Sequence, residues 1–102
     1  MIYGITSQIR RSAVSVAANI VEGYRKKGKK DKMRFFNISE GSIDETKYFL
    51  ILSNDLGFIE NSVFGKLFDL ADEVSRLLNA YSNAIEKNSK AKVESKLLTP
   101  VY

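Results

Sequence analysis

The sequence contains no cysteine and no histidine among its 102 residues. Without cysteine there can be no disulfide bond and no thiolate metal site, a composition that fits a reducing compartment. Nucleophilic triads and most general bases require cysteine or histidine. The di-iron sites of other four-helix bundles require Glu-x-x-His pairs. We therefore predict a protein that is not an enzyme and that has no cofactor and no metal site.

Proline and long apolar runs are also scarce. The single proline is Pro100, near the end of the chain, and this favours long helices because proline clashes inside a helix and removes one of its hydrogen bonds. No stretch approaches the roughly 18 apolar residues that a membrane span needs. Residues 1–6 lack the basic and apolar regions of a signal peptide. We expect a cytoplasmic protein of one domain that does not bind a membrane.

The spacing of apolar residues predicts three helices. Apolar residues recur at intervals of three and four over about residues 6–24, 29–56 and 62–88. Gly57 is expected to end the second helix in the left-handed conformation, and the short loops favour antiparallel neighbours. The expected fold is all-α, an antiparallel bundle of three long helices in a domain over residues 1–88, followed by a polar tail over residues 89–102. A short helix is the alternative for that tail.

Two apolar seams are predicted on the second and third helices. On the second helix, Phe36, Ile43 and Leu50 are spaced by seven residues. Ser39 and Thr46 lie beside them, and such small residues would let another helix approach closely. The third helix carries a heptad seam that we expect to be buried. This seam consists of Val63, Leu67, Leu70, Val74, Leu77, Tyr81 and Ile85, widened by Phe64, Ala71 and Leu78.

The end of the second helix is apolar on every side. Five consecutive apolar residues run from Tyr48 to Leu52, and they cannot all face one core. Fully burying a Phe or Leu side chain is worth about 1.5–3 kcal/mol. We therefore predict an oligomer interface at this segment, formed by Tyr48, Phe49, Ile51 and Leu52.

The net charge of +4 conceals a strong asymmetry along the chain. Residues 1–34 hold nine basic and two acidic residues, whereas residues 35–102 hold seven basic and ten acidic residues. Seven basic residues fall in one run between the first two helices: Arg25, Lys26, Lys27, Lys29, Lys30, Lys32 and Arg34. Lysine-rich tracts bind phosphates without reading sequence, so this run is the candidate nucleic-acid-binding site. The alternative interpretation is a solvated turn that keeps the protein soluble.

Several motifs resemble a known family. They are GITSQIRRSAVSV at residues 4–16, the pairs Asn19-Ile20 and Glu22-Gly23, RFFNI at residues 34–38 followed by Gly41-Ser42, and DLGFI at residues 55–59. Over about residues 4–88 the chain resembles the bacterial four-helix-bundle proteins first noticed as open reading frames in intervening sequences of large-subunit ribosomal RNA genes.

The resemblance implies an antiparallel helical bundle that assembles as a homo-oligomer. The family is related to the accessory subunit of diversity-generating retroelements, which is a basic pentamer that binds reverse transcriptase and nucleic acid. The family's opening helix would precede Gly4. The three helices are therefore expected to be completed by oligomerisation or by an N-terminal helix that is missing here. The family also has proline near the position of Ala17, so we expect a straighter first helix in this chain.

These observations lead to two hypotheses from different functional classes. The first is a non-enzymatic homo-oligomeric scaffold whose basic turn binds RNA or DNA nonspecifically, strengthened by the effective concentration of several turns in one particle. The alternative is a protein–protein interaction module in which the apolar end of the second helix holds a partner helix and the lysines only confer solubility. A third interpretation is an incomplete gene product that folds poorly alone.

Overall fold

Three helices make up the described part of the chain. The computed structural model describes the backbone of residues 2–98 and the side chains of residues 3–88. The helices are α1 (Ile2–Arg25), α2 (Lys29–Asp55) and α3 (Asn61–Leu98), and α2 packs antiparallel to both of its neighbours. These residues form no strand, so the predicted all-α fold is confirmed. None of the three helices is long and apolar enough to cross a membrane.

The third helix is longer than the sequence predicts. α3 extends at least to Leu98, the last described residue, whereas the spacing of apolar residues predicts an end near residue 88. Residues 89–98 contain neither glycine nor proline, so nothing in them interrupts a helix. The predicted helix end is therefore too early, and residues 99–102 of the predicted tail lie outside the described residues.

The turn between α2 and α3 depends on Gly57. Its φ is +76°, in the left-handed region that glycine adopts at little cost. The Phe58 amide donates to the Ser53 carbonyl at 2.8 Å and the Gly57 amide donates to the Asn54 carbonyl at 3.0 Å, the pattern of a Schellman motif. The side-chain amide of Asn54 also donates to Oδ1 of Asn61 at 2.8 Å, at the start of α3. The predicted helix end at Gly57 is confirmed.

Small polar residues bring α1 and α2 together. Their hydroxyls make three hydrogen bonds between the helices: Ser39 Oγ donates to the Val16 carbonyl at 2.8 Å, Thr46 Oγ1 donates to Ser12 Oγ at 2.8 Å, and the Ser15 and Ser42 hydroxyls are 2.7 Å apart. Ser39 and Thr46 are buried, so their hydroxyls need these partners. The close approach predicted for this seam is confirmed.

The core follows the seam of α2. Phe36, Ile43 and Leu50 are all buried, as their spacing predicts. Ile43 and Leu50 form one cluster with Val16 of α1 and Ala71 of α3. Both outer helices, α1 and α3, therefore pack on the central helix α2.

The buried face of α3 is rotated about the helix axis relative to the predicted seam. Ala71 and Leu78 are 6% and 5% exposed, whereas Leu70 and Leu77 are 58% and 63% exposed. The cause is that α3 packs on α2 alone: within residues 2–98, no Cα of α3 lies within 8 Å of a Cα of α1. The residues that widen the seam therefore pack on α2. The prediction of burial is wrong for the exposed members of the seam, Val63, Leu67, Leu70, Leu77 and Tyr81.

Candidate nucleic-acid interface

The basic run lies at the junction of α1 and α2. Arg25 is the last residue of α1, Lys26 and Lys27 lie in the turn, and the other four cations begin α2 from Lys29 onward. Basic residues at a helix N-terminus are repelled by the positive end of the helix dipole. Asp31 is the only acidic residue in the first turn of α2. The fold therefore gathers seven cations at one end of the helices without neutralising most of them locally.

The ammonium group of Lys32 is bound by backbone atoms of α1 and does not lie on an open binding surface. Its Nζ donates to the Gly23 carbonyl at 3.2 Å and to the Tyr24 carbonyl at 2.9 Å. The same Nζ lies 5.7 Å from the centroid of the Tyr24 ring. A cation that donates to the last carbonyls of a helix caps it and opposes its dipole. Lys32 therefore caps α1, a role that the charge run alone does not indicate.

Lys26, Lys29 and Arg34 make weak contacts that leave their charges accessible. Lys26 lies 3.9 Å from Glu22, and Lys29 lies 3.1 Å from Glu86 of α3. Arg34 and Lys26 both approach the Phe35 ring, at 5.1 and 5.3 Å from its centroid. The ion pairs of Lys26 and Lys29 are exposed and therefore contribute little to stability. A phosphate can take the place of Glu22 or Glu86 as the partner of either lysine.

Arg25, Lys27 and Lys30 are exposed and are the uncommitted cations of the run. Among the side chains of residues 3–88, none provides them with a hydrogen bond or an ion pair. A free surface cation keeps its full charge for an incoming anion. These three residues are therefore the most available members of the predicted site.

A surface cleft collects part of the run beside α3. Its volume is about 640 Å³, and it is lined by Lys29, Lys30, Asp31, Met33, Arg34, Asn37 and Glu86. Asn37 and Glu86 line this cleft although neither belongs to the basic run. Asn37 follows Arg34 by three residues on α2, so helical periodicity alone could have indicated it. Glu86 is far away in sequence, and no local signal relates it to the basic run.

Another charged cluster holds α2 against α3. Lys47 Nζ lies 3.0 Å from Oδ1 of Asp72, and Arg76 lies 3.3 Å from the other oxygen of this carboxylate. The hydrogen bond and the charge of Lys47 lower the pKa of Asp72 from its ordinary value of 3.8, and Arg76 lowers it further. Lys47 is engaged in an interhelical contact and Arg76 in an ion pair within α3, and both cations lie outside the basic run.

The predicted interface segment of α2 is incompletely buried within the chain. Tyr48 and Ile51 are exposed, and Phe49 and Leu52 are half-buried. The Tyr48 and Phe49 rings contact each other edge to face, with centroids 5.5 Å apart. This much apolar surface is available to a partner, so the interface at this segment stays a prediction.

Comparisons with known proteins give the family. The profile of the 23S rRNA-intervening sequence protein family matches residues 1–80. The chain is also similar to the crystal structure of a protein with unknown function from the S23 ribosomal protein family of Bacteroides thetaiotaomicron VPI-5482, with 27% identity and a TM-score of 0.75 over 76% of this chain and 72% of that one. A comparison with curated proteins gives no significant match. The chain therefore belongs to the 23S rRNA-intervening sequence protein family.

Proposed function

We propose that this protein is a non-enzymatic, homo-oligomeric helical scaffold whose basic turn binds nucleic acid nonspecifically through its phosphates. The observation that carries the proposal is the state of the seven clustered cations. Arg25, Lys27 and Lys30 have no polar partner among the described side chains, and Lys26 and Lys29 have only exposed ones. A surface with unneutralised cations at one end of a helical bundle attracts polyanions.

Phosphate contacts suit this chemistry better than base contacts do. Lysine ammonium groups are compact point charges that bind phosphate oxygens without a fixed direction. Such contacts release counterions and are therefore sensitive to salt but not to sequence. RNA and DNA share the phosphate chemistry, so either is a ligand for this surface.

Binding at different salt concentrations tests the proposal. Fluorescence anisotropy with labelled duplex DNA, duplex RNA and single strands should give affinities that fall steeply with salt and vary little with sequence. If four or five cations of one subunit engage duplex DNA, the log–log slope will be about −4.

A pair of matched variants locates the site. Lys27→Gln/Lys30→Gln removes two uncommitted cations and should flatten the slope by about two, since each phosphate contact contributes about one. Lys66→Gln/Arg76→Gln removes the same charge from α3, outside the run, and should leave the slope unchanged. Equal effects of the two variants would mean that only net charge matters. If the salt dependence of Lys27→Gln/Lys30→Gln has the same slope as that of the wild type, the site lies elsewhere, with Arg10 and Arg11 as the next candidates.

The alternative is a protein–protein interaction module whose lysines only confer solubility. One observation favours it, the exposed apolar seam of α3. Absence of wild-type binding at about 50 mM salt, where screening is still weak, would reject the nucleic-acid proposal and leave this module as the better account.

A further inference from the structure

The guanidinium group of Arg34 lies against the aromatic ring of its neighbour Phe35, with its Cζ atom 5.1 Å from the ring centroid. Successive residues of a helix do not face each other, so the Arg34 side chain folds back along the surface of α2 to make this contact. Within residues 3–88, no carboxylate forms an ion pair with Arg34. The Phe35 ring therefore holds an exposed cation that no ion pair neutralises.

A guanidinium group that rests on an aromatic ring provides a surface for stacking. Guanidinium planes stack on aromatic faces and are attracted to them as cations, and unpaired nucleic-acid bases stack on arginine planes and on aromatic side chains. Phe35 is half-buried, so packing anchors its ring while part of the ring stays accessible. We call this pair of side chains the Arg34–Phe35 platform.

The cleft beside the platform is only weakly positive. Arg34 belongs to both, because it also lines the cleft of about 640 Å³. Three cations, Lys29, Lys30 and Arg34, line this cleft together with the two carboxylates of Asp31 and Glu86. Three positive and two negative groups leave a formal charge of +1. The cleft therefore offers hydrogen-bond donors and acceptors in similar numbers, as the edge of a neutral base does.

The turn between α1 and α2 has a stronger positive charge. Arg25, Lys26 and Lys27 are consecutive, and among the described side chains the ion pair that neutralises any of them is the 3.9 Å contact of Lys26 with Glu22. Lys26 Nζ also lies 5.3 Å from the centroid of the Phe35 ring, which places the turn next to the platform. Phosphates carry the charge of a nucleic acid and are attracted most strongly to this turn.

We propose that this surface binds single-stranded nucleic acid: the turn contacts the phosphates, and an unpaired base stacks on the Arg34–Phe35 platform with its edge in the cleft. The inference rests on the proposed function and names the form of nucleic acid that is bound. Bases of a duplex are paired and stacked on their neighbours, and exposing one of them costs free energy. Single strands of RNA and of DNA both present such bases.

Fluorescence anisotropy with three labelled ligands of equal length separates stacking from charge. The ligands are a single strand, a duplex of the same sequence and an abasic single strand, which keeps the phosphates but has no bases. At about 200 mM salt, where phosphate contacts are weakened, the wild type should bind the ordinary strand at least about fivefold more tightly than the abasic strand, because one stacked base contributes at least that factor.

Arg34→Lys is the variant that distinguishes the two contributions. It keeps the positive charge and removes the guanidinium plane. Binding of the ordinary single strand should weaken at least about fivefold, whereas binding of the duplex and of the abasic strand should not change. Arg25→Lys is the matched control, since Arg25 lies in the same basic run and contacts no aromatic ring among the described residues. It should leave all three affinities unchanged.

Phe35→Leu tests the ring without altering any charge. It should have the same selective effect on the ordinary single strand as Arg34→Lys, because the guanidinium loses the ring on which it rests. Helical circular dichroism shows that the variant is folded. Unchanged binding of the single strand by a folded Phe35→Leu variant would contradict the role of the ring.

The outcomes separate failure of this inference from failure of the proposed function. If none of the three ligands binds, the proposed function itself is rejected. Equal affinities of the wild type for the ordinary and abasic strands would overturn the platform and leave phosphate binding in place. Equal losses of single-strand and duplex binding in Arg34→Lys would do the same, because Arg34 would then act on phosphates. An equal loss in Arg25→Lys would show that the effect is not specific to the platform, and would also overturn it.

Discussion

Gly23 of α1 lies directly against the Phe36 ring of α2. A Cβ atom placed at Gly23 would be 2.7 Å from Cε1 of this ring and 2.9 Å from Cδ1. Phe36 is only 1% exposed, and its ring also packs edge to face on Tyr81 of α3, with centroids 5.1 Å apart. The ring is therefore confined on both sides. The absence of a side chain at Gly23 is what allows α1 to approach α2 here.

Gly23→Ala should destabilise the protein although alanine is the better helix former. The added methyl group must displace a packed ring, and overpacking of this kind costs about 1–3 kcal/mol. Over most of that range the cost is larger than the gain in helix propensity, which is at most about 1 kcal/mol. Urea unfolding followed by circular dichroism measures the difference.

Gly65→Ala is the matched control for that variant. Gly65 lies inside α3, and a Cβ atom there would meet nothing within 4 Å. Only the helix propensity changes, so the free energy of unfolding should rise by about 0.5–1 kcal/mol. A stabilising effect of both substitutions would show that the Phe36 ring has room to move.

The sequence predicts the helices well because their turn chemistry is local. Gly57 marks the end of α2, and the period of the apolar residues marks the helical segments. The end of α3 is missed because residues 89–98 are mostly polar, which resembles a tail, although none of them breaks a helix.

The orientation of α3 could not be predicted from its period. Leu77 and Leu78 differ by about 100° around a helix, and both belong to a broad apolar face. An apolar residue looks the same in sequence whether it packs within the chain or against another molecule. Similarly, the charge run indicates a basic surface but not that Lys32 caps α1, because this role depends on where α1 ends.

Lys32→Met should reduce stability by about 0.5–1.5 kcal/mol. It removes two charge-assisted hydrogen bonds to the end of α1 and the favourable interaction of a cation with the helix dipole. The apolar stem of the side chain is retained. The change appears as a shift of the urea midpoint with an unchanged slope.

Lys30→Met provides the comparison for Lys32→Met. Lys30 has no such carbonyl partners, and it lies in the first turn of α2, where a positive charge opposes the dipole. Its removal should leave stability unchanged or raise it by a few tenths of a kcal/mol. Equal losses in the two variants would contradict the capping role of Lys32.

Acid titration tests the contact between Lys47 and Asp72. The pKa of Asp72 is lowered in the folded state by the hydrogen bond and charge of Lys47. The unfolded chain therefore takes up the proton first. The stability that the contact provides is present above the ordinary pKa of 3.8 and is lost as the pH falls through the lower folded value.

In Lys47→Met, the pKa of Asp72 should move back toward its ordinary value when it is followed by NMR. The free energy of unfolding of this variant should also fall less between pH about 5 and about 3 than that of the wild type. An unchanged Asp72 titration would mean that the 3.0 Å contact does not persist in solution.

Leu77 and Leu78 are neighbours in sequence, but Leu77 is exposed and Leu78 is buried. Truncating each of them in turn distinguishes packing within one chain from contacts between chains. Leu78 is buried against α2, so Leu78→Ala should cost about 2–5 kcal/mol at any protein concentration. Leu77 is exposed within one chain, so Leu77→Ala should cost less than about 1 kcal/mol in dilute solution. If a second copy covers Leu77, this cost must grow as the protein is concentrated, because association stabilises the folded state by mass action.

Urea unfolding of both variants at two protein concentrations about 100-fold apart gives the comparison. A concentration-independent cost for Leu77→Ala would contradict its burial by a second copy, and a small cost for Leu78→Ala would contradict the observed orientation of α3.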